Sequence, residues 1–195
     1  MTRASRGVSK TVDIGVATPQ LQAELSVATN VGLAFDDFYT ANAARIGRAL
    51  DLTLQHPELA EDALNEAMTR ALQKWTQVGG YSNPSGWVYR TALNWARSWL
   101  RRRRRERDRP LHQRPADPLA AIEPGLAAAL AGLSEDHRAV VVCRFHLDWS
   151  TVETADALGI AEGTVKSRLS RAIDQIRTEL GVKIDDASPE SEGMR

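Results

Sequence analysis

The chain has 195 residues, enough for one domain or two small ones. Lysine plus arginine and aspartate plus glutamate both total 25, so the formal net charge is zero, which argues against a simple polycation that coats DNA. The charges are nevertheless segregated. Arginines are concentrated between Arg97 and Arg114, and acids in the tail from Asp185 to Glu192. A dense cationic block in a neutral chain favours contact with a polyanion.

Cys143 is the single cysteine, so no internal disulfide can form, as is typical of proteins from a reducing cytoplasm. The sequence has no apolar run long enough for a membrane span and no charged start followed by an apolar signal core. We therefore expect a cytoplasmic protein without membrane insertion.

The predicted elements begin with a flexible extension over residues 1–33, in which TPQLQAELSVATN could form a short helix. From Phe35 onwards, apolar residues recur at three- and four-residue steps, which predicts a helix. A second helix is predicted to start near Pro57 and to end at Gly79–Gly80.

The third predicted helix has a clear start, because Asn83 can cap free backbone N–H groups and Pro84 suits the first helical position. It runs into five arginines, Arg101–Arg105. Three tryptophans share one face of it, and such a stripe more often belongs to a core than to a base-stacking platform, so we assign Trp95 and Trp99 mainly to packing. On the other face, aromatic, amide and arginine side chains could bind single-stranded DNA through stacking and phosphate contacts.

Four prolines within residues 106–125 predict an extended linker between two helical domains. The first domain then covers residues 34–105 and the second covers residues 126–182, followed by an acidic tail over residues 183–195. No alternation typical of strands competes with this all-α interpretation.

The second domain contains a pattern typical of a helix-turn-helix. Ser134 looks like a helix start, Ser150 with Glu153 fits a capping box, and Gly159 falls where the chain must turn. A final helix is predicted from about Glu162 to Leu180, and in such a motif this helix enters the major groove. The alternative is an ordinary amphipathic surface helix with solvated charges.

These segments resemble the sigma-70 family of bacterial RNA polymerase sigma factors. The resemblance rests on two segments that are joined by a proline-rich linker. One is NPSGWVYRTALNWARSWLRRRRR, and the other is GTVKSRLSRA with the preceding ETADALGI. More narrowly, the chain resembles the extracytoplasmic-function group, in a form similar to the actinobacterial SigE-like subfamily. Ala161 departs from the pattern where members often place a capping Ser or Thr, and Thr154 stands where many have Ile.

The resemblance implies an all-α protein with two small helical domains, sigma region 2 and sigma region 4, joined by a flexible linker. It implies core RNA polymerase and promoter DNA as partners, with an anti-sigma factor as a further candidate. The −35 element would be read as duplex by Glu162, Thr164, Lys166, Ser167, Arg168 and Arg171. The −10 element would be bound and melted as single strand by Asn83, Trp87, Tyr89, Arg90, Asn94, Arg97 and Arg101. Core polymerase would be bound by Asp62, Asn65, Glu66 and Arg70.

Catalysis finds no support in the sequence. The four histidines are scattered, and there is no His-x-x-x-His or Cys-x-x-Cys pair, no glycine-rich phosphate loop and no serine nucleophile elbow. We therefore predict a protein without enzymatic activity, cofactor or metal.

Two other classes of protein remain open. A stand-alone helix-turn-helix repressor or activator would bind a palindromic operator as a dimer. An adaptor protein could use the arginine-rich stretch as an RNA-binding arm, although this leaves the motif from Gly159 to Arg171 unexplained.

Overall fold

A computed structural model describes the backbone of residues 19–105 and 124–181, and the side chains of residues 34–105 and 125–181. The first unit, residues 19–105, contains four helices. They are α1 (Pro19–Leu54), α2 (Pro57–Gln73), α3 (Trp75–Val78) and α4 (Pro84–Arg105).

The second unit, residues 124–181, is also helical. It contains α5 (Pro124–Gly132), α6 (Glu135–Val141), a π-helical turn (Val142–His146), α7 (Thr151–Leu158) and α8 (Glu162–Glu179). In both described ranges the regular structure is helical, which confirms the all-α prediction. No helix in these ranges is both long enough and apolar enough to cross a membrane.

The helix starts follow local side-chain chemistry. The Gly86 N–H donates to Asn83 Oδ1 at 2.8 Å, and the His137 N–H donates to Ser134 Oγ at 3.3 Å. Ser150 and Glu153 form the complete capping box. The predicted starts of α4, α6 and α7 are therefore confirmed.

The structure differs from the prediction in the first unit. α1 is one continuous helix from Pro19 to Leu54, so the expected boundary at residue 34 falls inside a helix. The second predicted helix is broken at Lys74, whose φ of −117° leaves the helical range and separates α2 from α3. The predicted linker up to residue 123 and the tail over residues 183–195 lie outside the described residues.

The two units share one hydrophobic core. Leu50, Val88 and Tyr89 of the first unit join Cys143 and Trp149 of the second in a single buried cluster. A separate small cluster under the helix-turn-helix includes the buried Val140 and Val165. α6, the π-helical turn and α7 thus pack on α1 and α4, and we call this packing the closed arrangement.

Candidate nucleic-acid interface

The helix-turn-helix is built from α7, a tight turn and α8. Gly159 ends α7 with a φ of 67°, a left-handed conformation that glycine adopts without strain. Val165 and Ala172 are buried under the motif, as their spacing predicts. Ala161 precedes α8 with no side-chain hydrogen bond, so this helix begins without a cap. The turn therefore fixes the direction of α8, and the buried pair fixes which face of α8 points outward.

The outward face of α8 carries most of the predicted −35 residues. Glu162, Lys166, Ser167 and Arg171 are exposed, and Thr164 is half-buried. Arg168 is also half-buried, because its Nη2 lies 2.8 Å from Asp136 Oδ2. The face offers cationic and hydroxyl donors suited to phosphates and base edges, with Arg168 already paired to a carboxylate.

Tyr89, a predicted −10 residue, is fully buried in the closed arrangement. Its hydroxyl lies 2.6 Å from Thr53 Oγ1, and its ring meets the Trp149 ring edge-on at a centroid distance of 5.7 Å. Burial raises the pKa of Tyr89 well above its ordinary value, so the phenol stays protonated. A DNA base can reach this ring only if the second unit moves away.

Two predicted −10 arginines also bind the second unit. Arg97 Nε lies 2.7 Å from Glu135 Oε1, and Arg97 Nη2 lies 3.1 Å from Asp136 Oδ1. Arg90 Nη1 donates to the Asp156 carbonyl at the end of α7 at 3.3 Å. In this arrangement both guanidinium groups are occupied by protein acceptors.

The remaining −10 candidates are spread along α4. Asn83 and Trp87 line a cleft whose opposite wall comes from α7. Asn94 is exposed, and Arg101 is exposed with its Nη2 donating to Ser98 Oγ at 2.8 Å. These side chains stay closer to solvent than Tyr89.

The tryptophan stripe packs as predicted. Trp87, Trp95 and Trp99 are half-buried against the shared core. The Arg103 guanidinium lies 4.9 Å from the centre of the Trp99 ring, a cation–π contact. The assignment of Trp95 and Trp99 mainly to packing is therefore confirmed.

The predicted polymerase-binding residues lie on α2. Asp62, Asn65 and Arg70 are exposed and Glu66 is half-buried. Arg70 binds Glu66 through an ion pair of 2.7 Å, one helical turn apart. The structure thus brings these four polar side chains onto one edge, while the inward face of α2 packs on α1 and α4.

Sequence reasoning missed the residues that join the units. The sequence pattern assigned no contact between the units to Glu135, Asp136 or Trp149. Arg138 is buried and donates from Nε to the Thr53 carbonyl at 2.7 Å and from Nη1 to Leu133 O at 2.9 Å. The available signal was an arginine directly before the apolar run AVVVC, because a charge buried with such a run needs several acceptors.

No metal site emerges from the described residues, which contain no group of three or more His, Cys, Asp or Glu arranged to hold an ion. Cys143 is buried beside Tyr89, and burial raises the pKa of its thiol to about 12. Such a thiol is unreactive while the units are closed.

Comparison with family models identifies both units. Residues 38–106 match Sigma-70 region 2, and residues 129–178 match Sigma-70, region 4. The chain therefore belongs to the sigma-70 family.

Relatives support the narrower resemblance to the extracytoplasmic-function (ECF) group. The chain is 38% identical over 161 residues to ECF RNA polymerase sigma factor SigL of Mycobacterium tuberculosis (strain ATCC 25618 / H37Rv), covering 74% of this chain and 89% of that protein. It is 33% identical over 181 residues to SigM of the same strain, covering 90% and 92%. It is 31% identical over 161 residues to the RNA polymerase sigma-E factor of Streptomyces coelicolor, covering 80% and 90%.

A solved structure shares the fold. The sigma factor RpoE of Bartonella quintana, crystallised in complex with the anti-sigma factor NepR, matches with a TM-score of 0.64 and 24% identity over 77% of this chain and 98% of that chain.

Proposed function

We propose that this chain directs core RNA polymerase to specific promoters and acts there without catalysis of its own. The observation that carries the proposal is the outward row of Lys166, Ser167 and Arg171 on α8, directly after the left-handed turn at Gly159. A helix placed in this way can enter the major groove, where arginine and lysine bind guanine edges and phosphates. We assign this row, with Glu162, Thr164 and Arg168, to the −35 element.

The −10 element is assigned to α4 and the loop before it. Arg90, Arg97 and Arg101 can follow the phosphates of a single strand, while Tyr89 and Trp87 offer faces on which bases stack. Each stacked base contributes about 1–3 kcal/mol, which offsets part of the cost of opening the duplex. A base flipped out of the stack would be held by the loop Val78–Asn83.

Docking on core polymerase is assigned to the polar edge of α2 formed by Asp62, Asn65, Glu66 and Arg70. The polymerase then supplies the chemistry of RNA synthesis and holds both units on one promoter. Two DNA contacts of modest affinity, held on one scaffold, together give high affinity for promoters in which the two elements have the right spacing. This role places the protein in the cytoplasm with the chromosome, and an anti-sigma factor remains a predicted further partner.

Run-off transcription with purified core polymerase tests the proposal. With a promoter library, the full chain should start transcripts at sites that share two upstream elements. The variant K166A/R168A/R171A should reduce initiation at least tenfold, because each good base-edge contact contributes about 1–3 kcal/mol. R177A is the matched control, since Arg177 is an exposed arginine of the same helix that pairs with Asp174 and is outside the proposed row.

The competing classes give different results. A repressor or activator would bind duplex DNA as a dimer without starting transcripts, and an RNA-binding adaptor would prefer RNA over both forms of DNA. Either result would overturn the proposal.

A further inference from the structure

We infer that the second unit of this chain blocks the first unit's single-strand DNA site in the free protein, with Glu135 and Asp136 occupying the place of DNA phosphates. This inference rests on the proposed assignment of α4 to single-stranded DNA. Closure is an intramolecular competition between the protein's own acceptors and the nucleic acid. It adds a control step that acts before any other protein binds.

The strongest observation is that one carboxylate binds an arginine from each of the two proposed DNA-binding surfaces, on α4 and on α8. Asp136 Oδ1 lies 3.1 Å from Nη2 of Arg97 on α4, and Asp136 Oδ2 lies 2.8 Å from Nη2 of Arg168 on α8. Glu135 adds a contact of 2.7 Å to Arg97 Nε. Carboxylate and phosphate oxygens present the same acceptors to a guanidinium fork, so an arginine bound here is not free for a phosphate.

The second ground is the burial of the stacking platform. Tyr89 and Trp149 meet edge-on in the shared core, and Cys143 is buried beside Tyr89. A base and Trp149 would therefore compete for the Tyr89 ring. Opening must also expose apolar side chains on both units, which makes closure the resting state.

The third ground is the turn of the helix-turn-helix itself, which lies against α4. A Cβ added at Gly159 would lie 2.5 Å from Arg90 Nη2, so a larger residue at this turn would displace the Arg90 guanidinium from its position. Arg90 uses that approach to donate to the Asp156 carbonyl. Arg90 is thus a third predicted −10 residue, after Arg97 and Tyr89, that contacts the second unit.

Hydrogen bonds between α1 and the second unit hold the same arrangement. Arg138 reaches the Thr53 carbonyl at 2.7 Å, and Arg45 Nη2 donates to the His146 carbonyl at 3.2 Å. These contacts involve no predicted DNA-binding residue. The closed arrangement is therefore stabilised both by contacts that use predicted DNA-binding residues and by contacts that do not.

The single cysteine reports on closure directly. Cys143 is buried in the shared core, so a neutral thiol reagent such as iodoacetamide reacts only when the units separate or the chain unfolds. The full chain should be labelled slowly in buffer at constant pH. E135Q, whose removed charge is paired only with Arg97 among the described ion pairs, and E135Q/D136N should be labelled about three- to tenfold faster, as expected from the loss of modest ion pairs.

Three controls separate opening from damage. D174N removes an exposed carboxylate that pairs within α8 and should leave the labelling rate unchanged. R97Q removes the α4 partner of both carboxylates and should act like E135Q/D136N, while R97Q/E135Q should be labelled little faster than R97Q alone. An unchanged melting temperature in each variant shows that the faster labelling reports opening.

The functional half of the inference is tested by anisotropy with a fluorescein-labelled single-stranded DNA of mixed sequence, without polymerase. E135Q/D136N should bind it about three- to tenfold more tightly than the unaltered chain, whereas D174N should not. Equal labelling rates in all variants would overturn closure. Faster labelling with unchanged DNA affinity would overturn blocking. A failure of the proposed function shows separately, as absent initiation in run-off transcription, since the labelling rates do not depend on polymerase.

Discussion

Thr154 is a polar residue in a fully buried position of α7. Its Oγ1 has no hydrogen-bond partner among the described residues. A buried hydroxyl that makes no hydrogen bond loses its hydration without compensation.

Replacing Thr154 by Val should therefore stabilise the chain. We expect T154V to raise the free energy of unfolding by about 1 kcal/mol, measured by urea denaturation. T69V is the control, because Thr69 is exposed on α2 and should change stability by less than about 0.5 kcal/mol. A loss of stability in T154V would mean that the hydroxyl does have a partner in solution.

Arg138 illustrates the opposite case, a buried charge with many partners. Its guanidinium donates to four backbone carbonyls, those of Thr53, Leu130, Ala131 and Leu133. Burial lowers the pKa of Arg138, which records the cost of removing this charge from water. Of these, the Leu130 carbonyl also accepts from the Leu133 N–H.

R138M should lower the free energy of unfolding by about 3 kcal/mol, because it removes the donor to the buried carbonyls of Thr53 and Leu133. Differential scanning calorimetry would show this as a lower melting temperature. R102M is the matched control, since Arg102 is exposed on α4. Equal melting temperatures for the two variants would contradict the role assigned to Arg138.

At the scale of the element, α8 begins without a side-chain cap. Ala161 has the extended backbone of an N-cap residue, with φ −69° and ψ 147°, but cannot accept from the first N–H groups of the helix. A161S should raise stability by about 1 kcal/mol, the usual gain from a capping hydroxyl. A161V has no acceptor and should give no gain, so equal stability of the two variants in urea would contradict this explanation.

The turn before α8 makes a second element-scale prediction. G159A should lower stability by about 1–2 kcal/mol, because alanine is strained at a φ of 67°. Its Cβ would also displace Arg90. G163A is a matched control, since a Cβ there meets nothing within 4 Å and alanine favours the helix. Thermal melting should therefore move in opposite directions for the two variants.

Helix starts and the motif turn were predictable from the sequence because they depend on neighbours within a few residues. Asn83, Ser134, Ser150 and Gly159 each act on N–H or C=O groups within four positions of themselves. The break at Lys74 was not predictable, because the surrounding apolar pattern continues through it. The outward face of α8 followed from the period of the helix.

The pairing of Arg97 with Asp136 could not be predicted in this way, since the two residues are 39 positions apart. Their contact depends on how two separately predicted domains dock. The proline-rich linker predicted from the sequence suggests two independent domains, whereas in the structure the two described units share a hydrophobic core. The DNA-binding assignments for α4 and α8 remain predictions, and the structure adds that several of these side chains already have protein partners.

At the scale of the whole molecule, closure should depend on pH through His146. Its Nε2 lies 3.3 Å from the Arg45 carbonyl, and burial together with the positive charges of Arg45 and Arg48 lowers the pKa of His146. The closed arrangement therefore resists protonation. It is fully stable above the ordinary histidine pKa of about 6.5 and weakens as the pH falls through that value towards the lowered one.

Small-angle X-ray scattering between pH 8 and pH 5.5 would measure this effect as an increase in the radius of gyration at low pH. H146N cannot be protonated in this range and should remove the pH dependence. A profile that is the same with and without His146 would show that another group controls opening.

The ion pair between Glu135 and Arg97 has a consequence for the salt dependence of DNA binding. DNA binding normally releases cations condensed on the phosphates, so affinity falls steeply with salt. In this chain, carboxylates already neutralise some of the arginines. When such an arginine moves from a carboxylate to a DNA phosphate, the unpaired carboxylate attracts a cation from solution. Opening would free the Glu135 carboxylate, whereas Asp136 would keep its ion pair with Arg168 in the second unit. The free chain should therefore bind single-stranded DNA with a salt dependence shallower, by up to about one ion, than its number of phosphate contacts implies, and E135Q should restore the steeper slope.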